Sequence, residues 1–255
     1  MSKNASRINT DDYLTIVALE DGLTASLSVN ACEYCVNGDG NWQTLPAETA
    51  TVSIKTGQTL SFRGNLTPNS DAGIGTFTVS KSFALNGNAM SMLFGDEGKN
   101  NFSLDGKNYA FYQLFSGCTT LKLVSNDFLP ATTIAAACYY AMFYSCSNLT
   151  NAPALPALSL NSACYQYMFR GCSSLTTAPI LQAKKLTTKC YYYMFEGCTK
   201  LNYIKMLATD ISAANCLANW VKGVASAGTF VKAFLMTSLP TGNNGIPSGW
   251  TVQNV

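Results

Sequence analysis

The sequence predicts an α+β chain in two parts: an N-terminal β-sandwich, then a solenoid of about five coils closed by a C-terminal β cap. Three observations point there. A nine-residue segment of the type Cys-Tyr-Tyr-x-Met-Phe-x-Gly-Cys recurs through the second part at an interval of 26 residues. The first part has no such period and offers short β-type runs separated by turn signals. The charge also steps: residues 1–100 carry six basic and ten acidic side chains (−4), and residues 101–255 carry ten and four (+6).

Taken in chain order, residues 1–10 read as an N-terminal tail. Met1-Ser2-Lys3-Asn4-Ala5-Ser6 has no apolar core and no cleavage pattern, so no signal peptide is expected there. Residues 11–94 read as the sandwich. Its candidate strands are Tyr13–Leu19, Thr24–Val29, Glu33–Val36, Trp42–Leu45, Thr51–Lys55, Thr59–Arg63, Gly75–Val79 and Asn88–Phe94. Asn37-Gly38-Asp39-Gly40 and Lys55-Thr56-Gly57-Gln58 are the tight turns between runs. Residues 95–104 form a polar connection, 105–224 the solenoid, and 225–255 the cap, with strands expected at Thr229–Leu235 and from Trp250.

The repeat has five copies. They begin at Ala110, Cys138, Cys164, Cys190 and Cys216, the first being divergent and 28 residues ahead of the second. The stretches between copies align as well: Leu121, Leu149, Leu175 and Leu201 follow the second Cys position by three. Within a copy, apolar residues fall at i, i+4, i+5 and i+8 (Cys190, Met194, Phe195, Cys198), the spacing of one face of a short helix. Gly117, Gly171, Gly197 and Gly223 sit where a left-handed residue would stop that helix, and Ser145 breaks the rule. The following Leu-Thr-Thr-Ala-Pro stretch reads as a short extended segment, with Pro153 and Pro179 on a loop or sheet edge. One such unit cannot bury its own apolar face, whereas stacked units can.

Eight of the ten cysteines lie in two repeat columns, with Ala110 and Val224 replacing Cys at the ends. Small buried apolar thiols explain that substitution; disulfides between adjacent coils are the alternative. Cys32 and Cys35 form a C-x-x-C without histidine or a second pair, which is little support for a metal or redox centre.

The pattern M-F-x-G-C-x-x-L-T-x-A-P, with Cys-Tyr-Tyr ahead of it, resembles the BspA-like (Treponema-type) leucine-rich repeats of bacterial surface proteins, and similar arrays occur in phages of the same hosts. The resemblance covers roughly residues 105–255, including the closing Gly245 to Val252. It implies a leucine-rich solenoid, adhesion or ligand recognition at the bacterial cell surface or outside the cell, and no transferable catalytic residues. A phage virion protein, structural or host-binding, is the alternative.

Composition narrows the function further. The chain has no histidine, which removes Ser-His-Asp and Cys-His nucleophiles and the usual zinc spheres. A net charge of +2 argues against nucleic acid as a partner, and no apolar run is long enough to cross a membrane as a helix. No cofactor, metal or catalytic residue is expected; the expected partner is a glycan or protein receptor on a cell surface, or other virion proteins. A carboxylate-dependent glycosidase is the third possibility and would require two acidic groups about 5–10 Å apart across a cleft.

Candidate ligand-binding residues come in two sets. Thr150, Asn151, Thr176, Thr177, Asn202 and Tyr203 flank the recurrent leucines and suit hydroxyl-rich ligands. Tyr140 and Tyr192 are the tyrosines expected to point outward as an aromatic platform, the others packing between coils.

Overall fold

The computed structural model describes residues 7–255; the first six residues of the tail lie outside the described part. Eleven strands are present among the described residues: β1 (Leu14–Ala18), β2 (Ala25–Leu27), β3 (Cys32–Val36), β4 (Gln43–Leu45), β5 (Thr59–Arg63), β6 (Phe77–Val79), β7 (Phe83–Gly87), β8 (Leu121–Val124), β9 (Tyr203–Met206), β10 (Thr229–Lys232) and β11 (Thr251–Asn254). They form three sheets. A six-stranded sheet has the order β4-β3-β5-β1-β7-β8, a three-stranded parallel sheet the order β11-β10-β9, and β2 pairs with β6.

In the first part, alternation sets the packing. Leu14 and Ile16 of β1, Leu60 and Phe62 of β5, and Phe83 and Leu85 of β7 are buried. The β2–β6 ribbon meets this sheet through Phe77, whose ring lies 5.0 Å from that of Phe62. Gly87 must be glycine: its φ is +74°, and a Cβ there would collide with the Tyr13 carbonyl. The polar connection is tied back to the sheet. Arg63 pairs with Glu33 at 2.8 Å and Asp96 at 2.7 Å, and the Tyr13 hydroxyl donates to Asp96 at 2.8 Å.

The five-coil solenoid of strand, loop and short helix is not what the chain forms. Among the described residues the α-helix is a single turn, Ser91–Phe94, outside the repeats. Nor does one sheet run through the second part. β8 closes the six-stranded sheet by pairing in parallel with β7, and β9 belongs to the C-terminal sheet. The equivalent stretches of the second and third copies hold no strand longer than an isolated bridge. Proline explains the gap. Aligned on the recurrent leucine, the strand-forming copies carry Ser125 and Lys205 where the other two carry Pro153 and Pro179, which have no N–H to give a ladder.

The nine-residue segments replace the expected helices with chains of tight turns. Every fourth residue has a positive φ: Ala137, Ala141 and Ser145 in one copy, then Ala163, Tyr167 and Gly171, then Lys189, Tyr193 and Gly197. An α-helix cannot tolerate that reversal. Backbone bonding alternates to match. Tyr165, Tyr167, Phe169 and Gly171 donate N–H bonds to the carbonyls of Cys190, Tyr192, Met194 and Glu196 in the next copy, at 2.8–3.1 Å. Gln166, Met168, Arg170 and Cys172 donate instead to the residue three positions back. Two residues in four therefore face inward, which produces the i, i+4, i+5, i+8 spacing without a helix.

The inward residues form rows. Phe77, Phe115, Phe143, Phe169 and Phe195 follow one another at ring separations of 5.3, 6.0, 5.6 and 5.8 Å, with interplanar angles of 10° or less. Phe111, Tyr139, Tyr165 and Tyr191 form a second row at 5.6–6.1 Å. Trp220 ends both rows, 6.3 Å from Tyr191 and 6.1 Å from Phe195. The first row crosses from Phe77 of β6 into the repeats, so the two parts share one core. All ten cysteines are free and buried. In the second column the thiol has a directional role: Cys118, Cys146, Cys172 and Cys198 donate Sγ–H to the carbonyls of Phe77, Phe115, Phe143 and Phe169 at 3.0–3.1 Å. Burial pushes the Cys118 and Cys190 thiols up to about 12.

Candidate functional site

The turn pattern sorts the tyrosines by position in the copy. The residue after the first Cys turns inward, so Tyr139, Tyr165 and Tyr191 are only 1% exposed. The next two positions turn outward; their tyrosines are half-buried, whereas Ala141 and Gln166 there are buried. These tyrosines are Tyr112, Tyr140, Tyr167, Tyr192 and Tyr193, and they meet across successive copies. Tyr112 and Tyr140 stack at 5.0 Å, Tyr140 and Tyr167 meet edge-on at 5.4 Å, and Tyr167 lies 5.6 Å from Tyr192 and 5.5 Å from Tyr193. The predicted pair, Tyr140 and Tyr192, thus sits in one cluster joined by Tyr167. Burial, and then the neighbouring Tyr167 and Tyr112 phenols, push the Tyr140 hydroxyl up to about 12, so it is a neutral hydrogen-bonding group at ordinary pH.

Arg170 projects from the outer edge of the same face. Its guanidinium carbon lies 5.6 Å from the Tyr144 ring centroid and 5.5 Å from those of Tyr167 and Tyr193, within cation–π range. Its Nε lies against a carboxylate oxygen of Glu196, whose other oxygen is 3.1 Å from Lys222 Nζ. Lys189 reaches over Tyr192 at 5.9 Å. Helical periodicity assigns Tyr167 and Tyr193 to packing between coils, and no sequence feature singles out Arg170. The signal that could have found the two tyrosines is the glycine column: a left-handed residue at the eighth position, repeated four positions earlier, sets the two-in, two-out order.

The second predicted set is partly brought together. Thr150, Asn151, Thr176 and Thr177 line a cleft of about 460 Å³ with Pro179 and Gln182, opened where the proline-bearing copies lack a strand. Asn202 and Tyr203 lie outside it: the Asn202 N–H donates to the Thr176 carbonyl, and Tyr203 starts β9. Two of the cleft side chains are already engaged. Asn151 accepts from Val124 N–H at 3.1 Å and donates to the Val124 carbonyl at 2.7 Å, standing in for the missing strand at the edge of β8. Thr150 Oγ1 donates to the Lys122 carbonyl at 3.1 Å.

Other chemistry-bearing groups have structural partners. Cys32 and Cys35 sit buried on β3, and burial pushes the Cys32 thiol up to about 12. Burial opposes ionisation of Asp96, but the Tyr13 hydroxyl and Arg63 outweigh it and hold this carboxyl below its ordinary range. No group of three or more His, Cys, Asp and Glu side chains placed to hold a metal ion occurs among the described residues. No helix among the described residues is long and apolar enough to cross a membrane. No protein-family model, curated protein or solved structure matches this chain.

Proposed function

We propose that the chain is a non-catalytic recognition protein of the bacterial surface that binds a glycan or protein receptor through the outward tyrosine face of its repeats. One observation carries this: consecutive copies place Tyr112, Tyr140, Tyr167 and the Tyr192–Tyr193 pair in contact along one partly exposed face. Aromatic rings with a hydroxyl at the tip present apolar area and a hydrogen-bonding group at little entropic cost, the combination that recurs at binding surfaces. The repeat motif's resemblance to surface proteins of the BspA-like kind supports the same role. The Thr–Asn cleft is the weaker site, because Thr150 and Asn151 are engaged in holding β8.

A glycan-array and bacterial- or host-cell-binding screen tests the proposal, with a Tyr140→Ala/Tyr192→Ala double variant alongside. Binding is expected for the unmodified chain and a loss of roughly tenfold or more for the variant, two aromatic contacts being removed. Full retention of binding by a folded variant would place the surface elsewhere. A virion role predicts instead that the chain is found in purified phage particles.

A further inference from the structure

The outward tyrosine face is not electrically neutral. Arg170 and Lys222 meet a single carboxylate, Glu196, and Lys189 reaches over Tyr192, so these four side chains set three positive charges against one negative, a net of +2. Glu196 is more buried than its partners: its side chain is 13% exposed, against 38% for Arg170 and 54% for Lys222. The anion therefore sits behind the cations, which reach past it towards solvent.

The guanidinium is held for a further partner. Glu196 takes the Nε edge, and the rings of Tyr144, Tyr167 and Tyr193 stand about the guanidinium carbon. Among the described residues the Arg170 guanidinium is ion-paired to Glu196 by distance, yet none of its nitrogens meets hydrogen-bond geometry within the chain, and the facing Glu196 Oε2 has no hydrogen-bond partner. A guanidinium ion-paired on one side and packed among rings loses little freedom when its unbonded fork closes on a planar or tetrahedral oxyanion. The flanking tyrosines offer faces and phenolic hydroxyls to the rest of a sugar ring. Neutral sugars would use the rings but leave the fork and the +2 field unmatched.

We infer that the tyrosine face takes an acidic glycan, with the sugar carboxylate or sulfate on the terminal nitrogens of Arg170 and the adjoining sugar rings against Tyr167, Tyr140 and Tyr192. This rests on the tyrosine face being the recognition surface. Lys222 and Lys189 supply the surrounding field, so binding weakens as salt is raised.

The test measures binding of the full chain to immobilised hyaluronan, polysialic acid and chondroitin sulfate at low ionic strength, with dextran and chitooligosaccharides as neutral counterparts. The expected result is retention on at least one acidic polymer, none on the neutral ones, and release by added salt. Arg170→Gln should weaken that binding by roughly tenfold or more, the usual consequence of losing a charge-assisted pair. Arg170→Lys should recover only part, since it restores the charge and not the fork. Lys222→Gln, which leaves Arg170 in place, should cost less and reduce the salt dependence, and it serves if Arg170→Gln fails to fold. Equal binding to neutral and acidic polymers, or unchanged affinity in folded Arg170→Gln, overturns the inference. If neutral glycans bind and Tyr140→Ala/Tyr192→Ala abolishes it, the tyrosine surface stands and its preference for acid falls. If no polymer and no cell surface is bound, both fall.

Discussion

Truncating Phe169 to Ala probes the aromatic row at its middle. The ring is fully buried, 5.6 Å from Phe143 and 5.8 Å from Phe195, and inclined by 10° and 5° to them. Removing a buried phenyl group costs about 3–5 kcal/mol. That figure already contains the two ring–ring contacts, each about 0.5–1.5 kcal/mol. In a chain of this size 1 kcal/mol moves Tm by about 2–4 °C. A loss of roughly 6–20 °C is therefore expected in Phe169→Ala, read by calorimetry and near-ultraviolet circular dichroism. Phe169→Leu keeps most of the apolar volume and should lose about 1–2 kcal/mol. A Tm within about 2 °C of the unmodified chain in Phe169→Ala would refute the reasoning, because a side chain in that environment cannot be removed at so little cost.

Other perturbations separate the remaining features. Met168→Asp places an unpaired charge in the same core and should cost about 3–5 kcal/mol, with loss of the cooperative melt; an unchanged melting curve would put Met168 on the surface. Native protein should react with few equivalents of Ellman reagent and denatured protein, without reductant, with all ten thiols; a count near zero after denaturation would mean disulfides. The folded thiols bind their protons more tightly than unfolded ones, so this part of the stability is complete below about pH 8.5 and is lost as pH rises towards 12, where Cys118 and Cys190 ionise in the fold; a urea midpoint flat between pH 8 and about 10 would contradict it. Asn151→Ala removes both bonds to the Val124 backbone and should cost about 1–3 kcal/mol in urea unfolding, whereas an unaltered midpoint would make Asn151 a free surface residue.

The repeat and its left-handed column are legible in the residues, but the coil of strand, loop and helix they suggest is not what forms, for identifiable reasons. The 26-residue offset that aligns Cys164 with Cys190 also sets those copies side by side: the Tyr165 N–H, one residue after Cys164, reaches the Cys190 carbonyl. The glycine column was read as left-handed, and Gly171 and Gly197 have φ of +77° and +75°. The rest of the turn pattern was hidden because Tyr167, Ala141 and Tyr193 adopt positive φ without being residues that favour it. A four-residue period with two inward positions then imitates a helix in a nine-residue window. The strand column fails where Pro153 and Pro179 intervene, because each removes an N–H that a continuous ladder would need. The candidate site shows the same confusion: helical spacing places Tyr140 and Tyr192 outward but gives Tyr167 and Tyr193 to the packing between coils, and it offers no reason to single out Arg170.

The most direct test of the stacked turn segments is a double-mutant cycle along the phenylalanine row. Phe143→Leu and Phe169→Leu, in adjacent copies, should couple by about 0.5–1.5 kcal/mol. Phe143→Leu and Phe195→Leu, separated by the intervening ring, should add within about 0.3–0.5 kcal/mol. Additivity in the first pair, or equal coupling in both, would contradict the copy-to-copy contact on which the fold and its tyrosine face depend.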